Sequence, residues 1–406
     1  MGSIARPTQY HKVRVMRKLP TGVVALGFVS LFMDMSSEMV HALLPLYLTG
    51  TLGASALVVG LIEGLGEAVA QVTKLFSGWF SDRIGRRKPL AVLGYGLSAL
   101  TKPLFALAGS PALILGARVA DRVGKGIRGA PRDAMVADMV PPDLRGAAYG
   151  LRQSLDTVGA FAGPVLAVLF MLILNGNVPM IFALAIIPAA AAVAILVVFV
   201  REPVRNEVKR AAVRLDRATI ARLGPGVWMA IAIGSAMTLA RVSEAFLILR
   251  AGEVGLAMAY APFVLVVMNL VYAATSWPIG ALSDRIGKTG LLATGFAVLV
   301  LANLCLGLGS GLAVTFLGVA LWGLHMGLTQ GLLAAMVADA TPAPLRGTAF
   351  GLFNLATGVA LLVGNGVAGA VWVGYGSQAS FAVGAGLATL ALLAGLVWHR
   401  RLGQRG

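Results

Sequence analysis

Five ionisable side chains interrupt two long apolar stretches near the start of the chain. Asp34, Glu38 and His41 are spaced i, i+4 and i+7 in the first stretch, so on a helix they share one face. Glu63 and Glu67 lie one turn apart in the second stretch. Carboxyl groups that are crowded and desolvated can hold a proton, and they can equally attract a cation. The sequence therefore predicts a site for a proton or a cation in apolar surroundings.

A later apolar stretch supplies charges of the opposite sign. Arg118, Arg122 and Lys125 lie there with Asp121 between them. A charged side chain near the middle of a bilayer costs at least about 2.5–3.5 kcal/mol, so each one requires a partner or a purpose. We predict that this group couples proton and substrate; salt bridges that only brace the helices are the alternative. The complete predicted set is Asp34, Glu38, His41, Glu63, Glu67, Arg118, Asp121, Arg122 and Lys125.

These residues must be held by membrane-spanning helices. The chain has 406 residues, of which 58% are hydrophobic and 12% charged. A soluble domain of that composition could not cover its surface, and apolar runs of about 20 residues match the length of helix that crosses a bilayer. The predicted fold is all-α and integral to the membrane. Twelve spans are predicted, at about 22–48, 55–80, 89–109, 111–140, 146–175, 178–200, 226–250, 257–283, 289–310, 312–341, 347–374 and 378–399.

The net charge of +16 is concentrated in alternate loops. Basic residues follow spans 2, 6, 8 and 12, whereas the other loops are almost uncharged, apart from Arg250 and Glu253 after span 7. The positive-inside rule then predicts that both termini are cytoplasmic and that the protein lies in the inner (cytoplasmic) membrane. This distribution argues against a nucleic-acid partner. The lipid bilayer is the expected surrounding.

Two halves of the chain repeat each other. Ala134 to Asp138 reads A-M-V-A-D and recurs as Ala335 to Asp339, about 200 residues later. Parallel repeats of this kind place a substrate cavity at their interface near the middle of the bilayer. The predicted organisation is a cytoplasmic tail at 1–21, a six-helix bundle at 22–200, a cytoplasmic linker at 201–225, a second bundle at 226–399 and a tail at 400–406.

A short polar loop carries the most specific motif. It reads G-W-F-S-D-R-I-G-R-R-K-P between spans 2 and 3, and a weaker copy, G-A-L-S-D-R-I-G-K-T-G, lies between spans 8 and 9. With twelve spans, these loops resemble those of the major facilitator superfamily of secondary transporters, over essentially the whole chain. The resemblance implies alternating access between two bundles, driven by a proton or sodium gradient. It also implies a cytoplasmic gate, formed here by Gly78, Asp82, Arg83, Gly85, Arg86, Arg87, Asp284, Arg285 and Gly287.

Two further motifs bear on the direction of transport. Gly159, Gly163 and Pro164 in span 5 are similar to the G-x-x-x-G-P motif of the superfamily's antiporters, which are largely exporters. In span 4, Arg118 to Arg122 resembles the pattern R-x-x-q-G, whose arginine is linked to proton coupling. Asp121 and Arg122 depart from it, which leaves open whether Arg118 or Arg122 has that role.

The second half is less charged than the first. An apolar second bundle facing a charged first bundle suits a partly hydrophobic substrate better than a sugar. Arg152 and Asp156 in span 5 are expected to form a local i, i+4 ion pair. The side chains predicted as possible cavity lining in the second half are Arg241, Glu244, Asn269, Trp322, His325, Gln330 and Asn354.

The expected function is proton-coupled antiport that exports a small amphipathic or cationic molecule. The phosphate loop of ATP-driven pumps and the nucleophile elbow of hydrolases are absent from the sequence, so we expect no enzyme activity and no cofactor, with the proton gradient as energy source. The protein is expected to be a monomer that handles a small-molecule substrate. A divalent-metal exporter, with Asp34, Glu38 and His41 as ligands, is one alternative. A proton- or sodium-coupled symporter for uptake of a nutrient or siderophore-type compound is another.

Overall fold

Regular secondary structure in the described part of the chain is helical. The computed structural model describes residues 19–84, 86–141, 144–202, 220, 222–286, 288–342 and 345–403. We number the helices α1 to α12, one for each span. They are α1 (Thr21–His41), α2 (Ala56–Ile84), α3 (Lys88–Leu107), α4 (Pro111–Asp138), α5 (Arg145–Ile173), α6 (Val178–Leu184 and Ile186–Phe199), α7 (Pro225–Ala240 and Glu244–Glu253), α8 (Phe263–Ile286), α9 (Lys288–Leu308), α10 (Leu312–Ala340), α11 (Arg346–Tyr375) and α12 (Ser377–Gly403).

Three spans are interrupted within the residues that the structure describes. Helix α1 ends at His41 and continues through a short turn, Leu44–Leu46, into a π-helical segment, Tyr47–Thr51. Helix α6 changes direction at Ala185. Helix α7 breaks at Arg241, and its second part begins where the Ser243 hydroxyl accepts a hydrogen bond from the Ala245 amide at 3.3 Å.

Eleven helices in the described residues are long and apolar enough to cross a membrane. The twelfth, α4, has 28 residues and is also long enough, at about 1.5 Å per residue. It is less apolar than the other eleven because it carries many charged residues. Its buried residues include Arg118, Asp121 and Arg122, so the charges lie among the other helices. The number of helices agrees with the twelve predicted spans, and the protein is a multi-pass membrane protein.

The apolar core differs between the two membrane faces. We call the face at which α1 begins and α2 ends the N face. At the opposite face, one continuous cluster of buried apolar residues includes Leu43 and Phe182 from the first half and Ile248 and Leu306 from the second. At the N face, the described buried residues of each half form clusters of their own. The two halves are thus sealed together most tightly at the face opposite the N face.

Within each half, equivalent helices pack against one another. Helix α4 packs on α2 and α3, and α10 packs on α8 and α9 in the same way. Between the halves, α2 lies along α11 and α5 lies against α8. Glycines allow this contact, because a Cβ on Gly64 would lie 2.9 Å from the Leu362 Cα.

Arg250, at the end of α7, is one of the two charged residues in an otherwise uncharged set of loops, and it binds the end of α9. Its guanidinium donates to the carbonyl oxygens of Leu306 at 2.8 Å and Gly309 at 2.9 Å, and it pairs with Glu253 at 3.2 Å. It therefore satisfies free carbonyl groups at the end of α9. The domain boundaries stay a prediction; the tail up to residue 18 and the linker residues 203–219 lie outside the described residues.

Candidate functional site

The charged side chains of the first half meet between α1, α2 and α4. Glu63 accepts from Arg118 at 2.5 Å, and its carboxylate lies 3.5 Å from the His41 Nε2. The other nitrogen of His41 lies 3.3 Å from Glu38. His41 thus bridges two carboxyl groups on adjacent helices, and Glu63 and Arg118 are both almost fully buried. A buried pair of this kind requires both members, since either alone would be an uncompensated charge.

A second pair repeats this arrangement one turn along. Arg122 contacts Glu67 at 2.9 Å between the charged nitrogen and the carboxylate oxygen. Gly66 makes room for both arginines, since a Cβ there would lie 3.2 Å from the Arg122 Cγ and 3.3 Å from the Arg118 Cγ. Both arginines therefore have carboxylate partners, and the structure does not assign the coupling role to one of them.

The sequence interpretation missed a third buried pair. Lys102 of α3 donates to Asp121 at 3.1 Å and to the Ser37 hydroxyl of α1 at 3.3 Å. Thr101 also contacts Asp121, at 3.4 Å. A lysine in an otherwise apolar span was the available signal, because it has to find a carboxylate in the same bundle.

Toward the N face, the charges form a looser network. Arg132 contacts Asp133 at 3.1 Å and Asp156 at 3.9 Å. Arg152 contacts Asp156 at 3.8 Å, which is the i, i+4 pair that the sequence predicts. Arg128 donates to the Ser98 hydroxyl, and its guanidinium lies 4.9 Å from the centre of the Tyr95 ring.

A narrow cleft opens beside these pairs. Lys125 is the most exposed of its charged lining residues, and among the described residues no carboxylate lies within 4.0 Å of its amino group. The cleft could therefore present both a free cation and partly exposed carboxyl groups to a ligand. Its lining residues are Asp34, Ser37, Glu38, His41, Arg118, Arg122, Lys125 and Arg128.

The predicted residues of the second half are spread over several environments. Trp322 and His325 are fully buried, and the His325 Nδ1 donates to the Gly295 carbonyl of α9 at 2.8 Å. Gln330 accepts from Tyr272 at 3.1 Å, and Asn269 donates across the interface to the Ala160 carbonyl of α5 at 3.3 Å. The remaining predicted residues are half-buried: Arg241 at the break of α7, Glu244 at the start of its second part, and Asn354 on α11.

The predicted gate loop is held by the first half. Arg87 pairs with Asp138 at the end of α4 at 3.0 Å. The backbone amides of Arg87 and Lys88 donate to Glu202 at 2.7 and 2.8 Å, so a carboxylate caps the beginning of α3. Arg83 and Arg86 are exposed, and a Cβ on Gly78 would lie 3.4 Å from Ala130. The side chains of Asp82, Asp284 and Arg285, and Gly85 and Gly287 as a whole, lie outside the described residues, so the latch stays a prediction.

The glycines of the G-x-x-x-G-P motif lie directly against α1. A Cβ on Gly163 would lie 2.6 Å from the Met35 carbonyl oxygen and 2.7 Å from the Glu38 Cβ. A Cβ on Gly159 would overlap the Leu31 carbonyl. Pro164 is buried beside them. The motif therefore brings α5 to the part of α1 that carries Asp34 and Glu38.

No group of three or more potential ligand side chains is arranged to hold a metal ion in the part of the chain that the structure describes. His41 has both ring nitrogens directed at carboxylates, and Asp34 is not in that arrangement. The structure therefore gives no support to the alternative in which Asp34, Glu38 and His41 bind a metal.

Comparison with known proteins agrees with this architecture. A family model described as Major Facilitator Superfamily matches residues 26–354 and 229–404. An uncharacterised MFS-type transporter of Methanocaldococcus jannaschii is 34% identical over 393 residues, covering 94% of this chain and 95% of the relative. The multidrug resistance protein MdtH of Yersinia pestis is 32% identical over 145 residues, which is 36% of each chain.

Solved structures share the fold at low sequence identity. The nucleoside transporter NupG superposes with a TM-score of 0.77 at 12% identity, covering 92% of this chain and 99% of that one. A POT family transporter in complex with a thioalcohol-conjugated peptide gives 0.79 at 15% identity, with 94% and 96% covered. These likenesses establish the arrangement of the helices.

Proposed function

Because this chain belongs to the major facilitator superfamily of membrane transporters, we propose that it is a proton-coupled antiporter that exports a small amphipathic or cationic molecule. The cleft beside α1 carries this proposal. It places partly exposed carboxyl groups, Asp34 and Glu38, next to buried ion pairs near the middle of the membrane. A proton and a cation each add one positive charge there, so either would weaken binding of the other.

Two observations support export. The motif glycines Gly159 and Gly163 pack on the part of α1 that lines the cleft, so the segment similar to the antiporter motif contacts the predicted site. A stretch of 145 residues, 36% of the chain, is also similar to a multidrug resistance protein. Both favour an amphipathic substrate that leaves the cell.

Alternating access would use the two faces differently. The continuous apolar cluster at the face opposite the N face would have to open, while the separate N-face clusters and the gate loop would come together. We place the N face in the cytoplasm, in line with the positive charge of its loops. In that orientation, the structure corresponds to a transporter closed toward the outside.

The test is proton movement in sealed proteoliposomes that hold a pH-sensitive dye. Tetraphenylphosphonium and ethidium serve as lipophilic cationic probes, added outside vesicles with an acidic interior. Antiport predicts that probe entry makes the interior more alkaline and that Asp34→Asn abolishes the pH dependence of uptake. Protons that move in the same direction as the probe would contradict antiport, and an absence of protein-dependent flux for both probes would contradict this substrate class.

A further inference from the structure

Two aspartates on neighbouring helices of the first half face each other. Asp34 lies on α1, about 20 Å along the helix from Thr21 at roughly 1.5 Å per residue, and so near the middle of the membrane. Its carboxyl group faces the Asp156 carboxyl of α5, at the place where Gly159 and Gly163 bring the two helices together. The Asp156 Oδ1 is buried and accepts no hydrogen bond from the described residues, so it is available to share a proton with Asp34. Two carboxyl groups in such contact need a proton between them, since two negative charges would repel.

The helix packing enforces this contact. Leu31 and Met35 lie on either side of Asp34 in α1, and their carbonyl oxygens touch the positions of Gly159 and Gly163 in α5. Asp156 lies one turn before Gly159 in the direction of the N face. Without side chains at these two glycines, the backbones approach closely enough for the aspartates to meet.

Three other carboxyl groups at this depth have close cationic partners, and Glu38 lies 3.3 Å from the His41 Nδ1. The nitrogen–oxygen distances are 2.5 Å for Arg118–Glu63, 2.9 Å for Arg122–Glu67 and 3.1 Å for Lys102–Asp121. Asp156 has only the longer contacts with Arg132 and Arg152, at 3.9 and 3.8 Å. Within the described residues, Asp34 has no cationic group within 4.0 Å. The close ion pairs would have to break to accept a proton, whereas the aspartate pair would not.

Charged and titratable groups face the aspartate pair from several helices. Helix α4 contributes cations on one side, α5 contributes Arg152 next to Asp156, and α8 contributes the Tyr272 phenol across the interface. Helix α6 packs on α1 but has no ionisable residue between 178 and 199. The groups from α4 are Lys125, Arg128 and Arg132.

We propose that Asp34 and Asp156 share one proton and that this pair is the proton-binding site of the exchange cycle. The O–H group of one aspartic acid donates to the carboxylate of the other. When the proton leaves, the pair gains one negative charge, and Asp34 presents that charge to the cleft. A cationic probe bound in the cleft would then replace the proton. This role rests on the proposed antiport, but the shared proton itself can be measured without transport.

The experiment is infrared difference spectroscopy of the full-length protein in detergent, recorded as pH is varied. A protonated carboxyl group has a carbonyl stretch that is separate from the carboxylate bands. Wild-type protein should show such a band that disappears as pH rises, and Asp34→Asn and Asp156→Asn should each remove it. Asp133→Asn is the matched control, because Asp133 lies in the same network but contacts Arg132 and not Asp34. It should retain the band.

The outcomes separate the two proposals. A titrating band that persists in Asp156→Asn, or no such band in wild-type protein, would overturn the shared proton. The band without proton-coupled flux in vesicles would leave the pair in place and refute antiport instead. Asp156→Glu keeps a carboxyl group, so it provides a second variant if the asparagine forms do not remain monodisperse on size exclusion; it should restore a shifted band.

Discussion

Helices α4 and α10 occupy equivalent places in the two halves. Each packs on an equivalent neighbour, α2 or α8, but through different contacts. Helix α4 is joined to α2 by the pairs Arg118–Glu63 and Arg122–Glu67. The residues of α10 at the positions of Arg118 and Arg122 are Val319 and Gly323. A Cβ on Gly323 would overlap the Met268 carbonyl of α8, so the two backbones touch there. Ion pairs occupy in one half the place that direct backbone contact occupies in the other.

One part of the contact is common to both halves. Gly126 of α4 packs on Ala70 and Thr73 of α2, and its equivalent in α10, Gly327, packs on Thr275 of α8. The repeated scaffold thus has a glycine near the middle of each helix, whereas the charges at the positions of Arg118 and Arg122 are present in one half only. The second half holds the equivalent helix without such charges, so the repeated scaffold does not by itself require them.

The largest effect is expected for Arg118→Leu. This change leaves Glu63, whose side chain is 3% exposed, without its closest cation, and removal of one member of a buried pair typically costs about 3–5 kcal/mol. The free energy of unfolding in detergent, from denaturant titration, is the measurement. The double variant Arg118→Leu/Glu63→Leu should lose much less, because no uncompensated charge remains. A single variant as stable as wild type would show that the pair does not stabilise α4.

A smaller effect, equal in both halves, is expected for Gly126→Ala and Gly327→Ala. A Cβ at Gly126 would lie 2.8 Å from the Ala70 carbonyl oxygen, and forced overpacking typically costs about 1–3 kcal/mol. The shift of the thermal unfolding midpoint measures it. Gly331→Ala is the control, since no atom lies within 4 Å of a Cβ at that position. A lower unfolding midpoint for only one of the two variants would mean that the two halves do not share this contact.

The sequence alone predicted the twelve helices and most of the charged residues that lie within them. Apolar runs of membrane length predict all twelve, including α4, and helical spacing places Asp34, Glu38 and His41 on one face. Spacing within one helix does not reveal partners on another helix. For that reason Lys102–Asp121 and the contact of Asp34 with Asp156 were missed, although Arg152–Asp156, which lies within one helix, was predicted.

Breaks in the helices were also beyond the sequence interpretation. The apolar run of span 7 continues through Arg241 to Ser243, where α7 is interrupted. Ser243 followed by Glu244 is typical of a helix beginning and was the available signal. The burial of His325 was equally hard to predict, because a histidine on an apolar helix can line a cavity or pack in the interior. The hydrogen bond to the Gly295 carbonyl of α9 shows that it is packed between two helices.

The smallest effect is expected from the second half, for His325→Gln. His325 is fully buried and donates one hydrogen bond to Gly295, so its replacement should cost about 1 kcal/mol and leave the pH dependence of transport unchanged. His41→Gln makes the matched change in the first half, where the imidazole lies between Glu38 and Glu63. Because that ring can bind a proton between two carboxylates, its loss should shift the pH profile of flux measured in proteoliposomes. Equal pH profiles for the two variants would mean that the charged half and the apolar half contribute alike to coupling, and the contrast between α4 and α10 would then concern packing alone.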